Sequence, residues 1–188
     1  MERLGAEIAA TRSSAEKTSA IAEKINDRRS TVMTKTPFSG IDFESASTMG
    51  LGFFDYAAEK IHTYESDVRA LRDEVKNDVD ALPKRSNFAK SSAKASGTLS
   101  TLAEQVNTAA LTFHGASSML GALMFNQIDT YALGKRIGKA ENVADDSLND
   151  LIKEIRNDAT HSRIMAEIDE VQRNRIANES LLTQILRP

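Results

Sequence analysis

The sequence has no cysteine and no tryptophan, and only three prolines, seven phenylalanines and three tyrosines among 188 residues. Without cysteine there is no disulfide, no thiol nucleophile and no thiolate for a metal. The scarcity of proline leaves long stretches in which helices run unbroken. The scarcity of aromatic residues means that the core is aliphatic and rich in alanine. Charge of one sign is also missing: 24 basic and 27 acidic side chains leave a formal net charge of −3. A dedicated nucleic-acid binder carries a basic face, so no nucleic-acid partner is expected, although Lys84, Arg85, Lys90 and Lys94 form a small basic patch. No segment alternates apolar and polar residues with a period of two, which excludes a sheet.

What the chain does have is helical periodicity. Residues 2–29 carry Leu4, Ile8, Thr11, Ala15, Thr18, Ala22 and Ile25 at alternating four- and three-residue steps, a weak heptad seam. Residues 30–47 break it, with Pro37 and Gly40 as punctuation and Phe38 and Phe43 as apolar residues expected to plug against a bundle. Residues 48–82 resume the rhythm through Phe54, Ala57, Ile61, Tyr64, Val68, Leu71 and Val75, and Leu82-Pro83 ends it. Residues 83–97 are basic and serine-rich and read as a solvated connection, or as an anion-binding loop. From Gly97 to Gly134 only Glu104 and Asp129 are charged. That predicts a central helix over about 98–137, buried on more than one side, with Gly138 closing it. A last helix is expected over about 142–186, with a phase shift in its apolar face near Asp158–Arg163.

The expected fold is all-α: an elongated antiparallel bundle of about four long helices with coiled-coil-like packing. Residues 1–188 are read as a single helical domain, with a possible sub-division into an N-terminal hairpin, 1–82, and a C-terminal long-helix pair, 97–188. The charged start Met1–Glu7 does not resemble a leader. Cytoplasmic location and non-classical secretion both remain open. The one membrane-length uncharged run, Gln105–Ile128, contains Asn107, Thr108, Thr112, His114, Ser117 and Ser118. That polarity argues against a permanent span; conditional engagement of a membrane, helped by small residues at Ser117 and Gly121, stays open.

Chemistry finds little support. Glu59-Lys60-Ile61-His62 and Asp158-Ala159-Thr160-His161 approximate the Glu-x-x-His pairs of di-metal helical bundles. Yet Glu59 and His62 flank the second seam on its outward side, so neither metal nor cofactor is expected. His114, beside Phe113, is expected to be buried and hydrogen-bonded. Ser117 and Ser118 lie near it, but no orienting acid or oxyanion hole is visible. Met49-Gly50-Leu51-Gly52 lacks the lysine and the preceding strand of a phosphate loop.

Phe38-Ser39-Gly40 sits between two amphipathic helices, where the Trp-x-Gly helical hairpins exported by type VII secretion systems have their turn, and residues 1–82 resemble that family in outline. Phe113-His114-Gly115 repeats the pattern. The chain departs from the family in having no tryptophan, twice the length, and Val68 and Lys135 where the Tyr-x-x-x-Asp/Glu export signal needs an acid after Tyr64 and Tyr131. A three-residue match of this kind assigns no family.

The functional expectation is a non-catalytic helical structural or interaction protein that works by coiled-coil-like self-assembly or by binding a protein partner. Leu4, Ile8, Ile25, Phe38, Phe43, Leu181, Leu182, Ile185 and Leu186 are its contact candidates. The alternatives are a secreted helical substrate or translocator of a bacterial secretion system, and a di-metal carboxylate bundle.

Overall fold

The computed structural model describes residues 2–38, 41–83, 85–118 and 129–185. Helix α1 spans Glu2–Met33. A 3-10 turn over Phe43–Ser45 and the one-turn helix α2, Ala46–Met49, lead into α3, Gly52–Asp80. Helix α4 spans Arg85–Ala116, and α5 runs for 56 residues from Thr130 to Ile185. Among the described residues there is no strand.

Ion pairs and hydrogen bonds between helices fix their directions. Arg28 pairs with Glu74 and Lys24 with Asp78, so α1 and α3 are antiparallel. Arg72 Nη1 donates to Ser100 Oγ at 3.5 Å and His114 meets Asp55 at 3.1 Å, so α3 and α4 are antiparallel. Lys94 pairs with Asp150 at 3.0 Å, while Ser91 bonds Glu154, giving α4 and α5 the same relation. Arg29 with Asp145 and Arg156 with Glu23 then close the ring between α5 and α1. The result is an elongated antiparallel bundle of four long helices in the cyclic order α1, α3, α4, α5.

Each helix follows from its apolar stripe. The seam predicted for the second helix is buried throughout, from Phe54 and Ala57 to Leu71 and Val75. It meets Leu99, Leu102, Val106 and Phe113 of α4 and Ile137, Leu148, Leu151 and Ile155 of α5 in one core. Ser147, almost fully buried, donates to the Ala144 carbonyl and shares a 2.6 Å bond with Thr98. No buried side-chain polar atom among the described residues lacks a partner. At the bottom of the bundle Phe38 is half-buried, its ring centroid 6.3 Å from that of Phe113. Asp42 accepts bonds from the Ser45 hydroxyl and the Glu44 amide, which hold its carboxyl below the usual range and start the short turn. Gly50, at φ 57, ends α2 in a conformation that side chains resist.

Three expectations are corrected. The stretch 83–97 is not a solvated connection: from Arg85 onward it is the first third of α4. Phe88 and Ala95 are buried on the face that continues to Leu99, and that burial outweighs the roughly 1 kcal/mol that Gly97 costs inside a helix. Nor does one helix cover 98–137. Helix α4 stops at Ala116, where Ser117 and Ser118 hydroxyls take the His114 and Gly115 carbonyls. A new helix starts at Thr130, with Asp129 accepting from the Ala132 amide at 2.7 Å, the N-cap arrangement. It runs through Gly134 and Gly138 without a break, so Gly138 closes nothing. Lastly, α4 is one wall of the bundle and not its axis. Its outer face carries Lys90, Lys94, Gly97, Thr101, Glu104, Thr108 and the exposed Leu111, and the Thr101, Thr108 and Thr112 hydroxyls bond carbonyls four residues back.

The helices do not end together. Asp80 of α3 lies level with about residue 22 of α1 and residue 157 of α5, and Arg85 of α4 with about residue 160 of α5, as the Lys24–Asp78, Arg156–Glu23 and Ser91–Glu154 contacts require. Beyond that level only α1 and α5 continue. At 1.5 Å per residue, α5 is about 84 Å long, against about 44 Å for α3. The molecule is therefore a four-helix body with a two-helix extension.

Candidate functional site

The extension is built from the first twenty residues of α1 and the part of α5 beyond residue 158. From α1, Ile8, Ala15 and Thr18 are buried against α5, and Leu4 is half-buried. From α5 the facing residues are small: Ala159, Ser162 and Ala166. Arg12 pairs with Glu170 across the seam. Gly5 leaves space for the Arg173 guanidinium; a Cβ on Gly5 would stand 2.6 Å from its Nη1. Because both helices place alanine at the seam, a shallow groove of about 360 Å³ opens there, lined by Arg12, Ala15, Glu16, Ala159, Arg163 and Glu167 among others.

The large aliphatic residues of this part of α5 point elsewhere. Ala166 is its last buried residue among those described. Ile164 is 46 % exposed, Ile168 44 % and Val171 68 %. They stand two residues out of step with Ser162 and Ala166, about 200° around the helix, so they lie opposite α1. Met165, Ile176, Leu181 and Leu182 are also exposed. The phase shift near residues 158–163 is thus the point where the apolar stripe of α5 leaves the chain's own seam and turns outward.

The contact candidates separate accordingly. Ile25 and Ile8 are enclosed within the chain, and Ile25 belongs to the main core, so neither is available to a partner. Phe38 is engaged at the bottom of the body, and Phe43 opens the 3-10 turn. Leu181 and Leu182 are exposed on the overhang of α5, which ends at Ile185; Leu186 lies outside the described residues. Ile164, Met165, Ile168 and Val171 were not among the candidates. Their signal was the four- and three-residue spacing, which alone reads as a continuation of the inward face.

No histidine builds a metal centre. His62 Nδ1 lies 2.8 Å from Glu65, whose nearly buried carboxylate also accepts from Arg69 Nε at 2.5 Å. His114 is exposed, contrary to expectation, because it shares the outer face of α4 with Leu111 and its ring lies on the outer α3–α4 groove beside Asp55. His161 sits in the extension, beyond the reach of α3, so the two Glu-x-x-His-like segments never meet. Among the described residues no three histidine or acidic side chains are placed to hold a metal ion. No helix among them is long and apolar enough to cross a membrane.

The polar contact that most affects protonation lies inside the body. The Tyr64 hydroxyl donates to Glu141 Oε1 at 2.8 Å. Burial, and then the neighbouring carboxylate, push the Tyr64 phenol upward; burial also raises Glu141, a shift that the Tyr64 bond opposes. A groove of about 290 Å³ between α1 and α5, lined by Arg29, Met33, Thr34, Asn142 and Asp145, reaches Glu141.

Comparison with known proteins adds no relative: no family model matches the chain, and neither a curated protein nor a solved structure is similar to it.

Proposed function

We propose that this chain is a non-catalytic interaction protein whose four-helix body holds out the two-helix extension as its contact element. The observation that carries the reading is the row of exposed aliphatic side chains on α5 beyond Ala166, in a helix whose body portion buries Ile137, Leu148, Leu151, Ile152 and Ile155 and leaves Val143 exposed. Leaving such half-exposed side chains in water forgoes about 1 kcal/mol each relative to full burial, and a concentration of exposed aliphatic residues on one helix face marks an interaction site. The body supplies rigidity, and its polar networks are structural pairs along helix seams. The test is the size of the native species. Gel filtration of extract from the source cells, with the chain detected by antibody, is expected to place it in a complex well above 20.6 kDa. Elution at the size of an elongated single chain, at its natural concentration, contradicts the reading.

A further inference from the structure

We infer that the occupant of the outward stripe of α5 is a second copy of this chain, packed parallel along residues 164–182; this rests on the interaction reading above and names its partner. The stripe steps through Ile164, Ile168, Val171, Arg175, Asn178 and Leu182, alternating four and three residues. That is the spacing of a two-stranded helical seam. Set against itself in parallel, it places apolar layers on apolar layers at 164, 168, 171 and 182, and polar on polar at 175 and 178. Set antiparallel in the register that joins Ile164 to Leu182, it buries Val171 against Arg175 and Ile168 against Asn178, leaving polar groups without partners. A different protein would need its own polar layer at the level of Arg175 and Asn178; a second copy has one by construction. Arg175 already bonds Glu179 on its own helix at 2.9 Å, so its charge is compensated within each copy, and a facing pair of asparagines is a known device for fixing register in a two-stranded seam.

The area is sufficient. Ile164, Ile168, Val171 and Leu182, with Met165 and Leu181 flanking them, leave on the order of 600 Å² of mainly aliphatic surface per chain, taking roughly 100 Å² for each; Ile176 lies about 120° around the helix and stays outside the seam. Two copies then cover on the order of 1,200 Å², at the lower end of specific stable interfaces. The contact is also confined to the extension. On the body, the same line of α5 carries Asp150, Lys153, Glu154 and Asn157, and Asp150 and Glu154 are engaged with α4. The two bodies therefore splay apart from a shared stem. A lipid surface fits the stripe less well. Between residues 158 and 185 the helix carries five carboxylates, three arginines and no lysine, whereas helices that lie on anionic membranes have a basic polar face.

The test uses the full chain. Light scattering across a concentration series is expected to give twice the 20.6 kDa chain mass. Ile168→Glu should raise the dissociation constant at least tenfold with unchanged helix content, because Ile168 is exposed in the single chain, and Ile168→Leu should restore pairing. Since the chain has no cysteine, Asn178→Cys should cross-link quantitatively to its own copy under mild oxidation. Three results overturn the inference: a single-chain mass at every concentration, a pair that Ile168→Glu leaves intact, or vesicle binding by a monomer that Ile168→Glu abolishes. A single-chain mass for purified protein together with a large native complex would overturn the second copy alone and leave the interaction reading standing.

Discussion

Glu141 and Tyr64 meet inside the body, and their bond has a consequence for stability against pH. Burial raises the Glu141 carboxyl above its ordinary value, so its ionised form is the one that folding disfavours. The penalty is absent while the group is protonated and develops as pH rises through the raised value. Glu141→Gln keeps an acceptor for the Tyr64 hydroxyl and carries no charge. Thermal unfolding should therefore show the variant more stable than wild type at neutral pH, by about 1 kcal/mol or less, with the difference vanishing below the ordinary carboxylate range. Glu74 behaves oppositely. The Arg28 bond holds it below its ordinary value, so its contribution is present above that value and is lost on acidification. Residue roles of this kind were partly legible. The Phe38 plug followed from an apolar residue in a loop, and the outward place of Glu59 and His62 from their position off the seam. The exposure of His114 was not legible, because it depends on α4 being an outer wall, with its Leu111–His114 face turned away from the core.

At the scale of elements, glycine was overread as punctuation and serine as solvated loop. Pro83 did mark a true boundary, because the residue before it resists the helical region. Gly97 and Gly138 did not, since Ala95 and Leu99, or Ile137 and Ala144, bury enough on either side to carry the helix through. Both glycines face open space, so alanine meets no neighbour at either. Gly97→Ala and Gly138→Ala should each raise unfolding stability by about 0.5–1 kcal/mol, measured by denaturant titration. A loss of stability at either position would show that the helix is interrupted there. The start of α5 was readable in hindsight: Asp129, one of only two charges in the run, is its N-cap.

At the scale of the whole molecule, the all-helical class and the inward seams followed from periodicity, because apolar spacing determines which face of a helix is buried, and the antiparallel order followed from the short and medium links between helices. The extension did not follow. The spacing of Ile164, Ile168 and Val171 shows that they share a face, and only the neighbour's position shows that the face is turned away from α1. The proposed partner is a property of an assembly, and what the single chain shows of it is uncovered surface. The same architecture grades the stability of α5 along its length: four-helix packing to about residue 158, one neighbour as far as the half-buried Ala177, level with the start of α1, and none from residue 181. Amide hydrogen exchange along α5 measures this directly. In dilute solution, exchange should be slowest over 137–158, faster over 160–177 and fastest from 181 to 185; raising the protein concentration should slow exchange over 164–182 alone. Uniform protection to Ile185 in dilute solution, or protection over 164–182 that does not respond to concentration, would contradict the account.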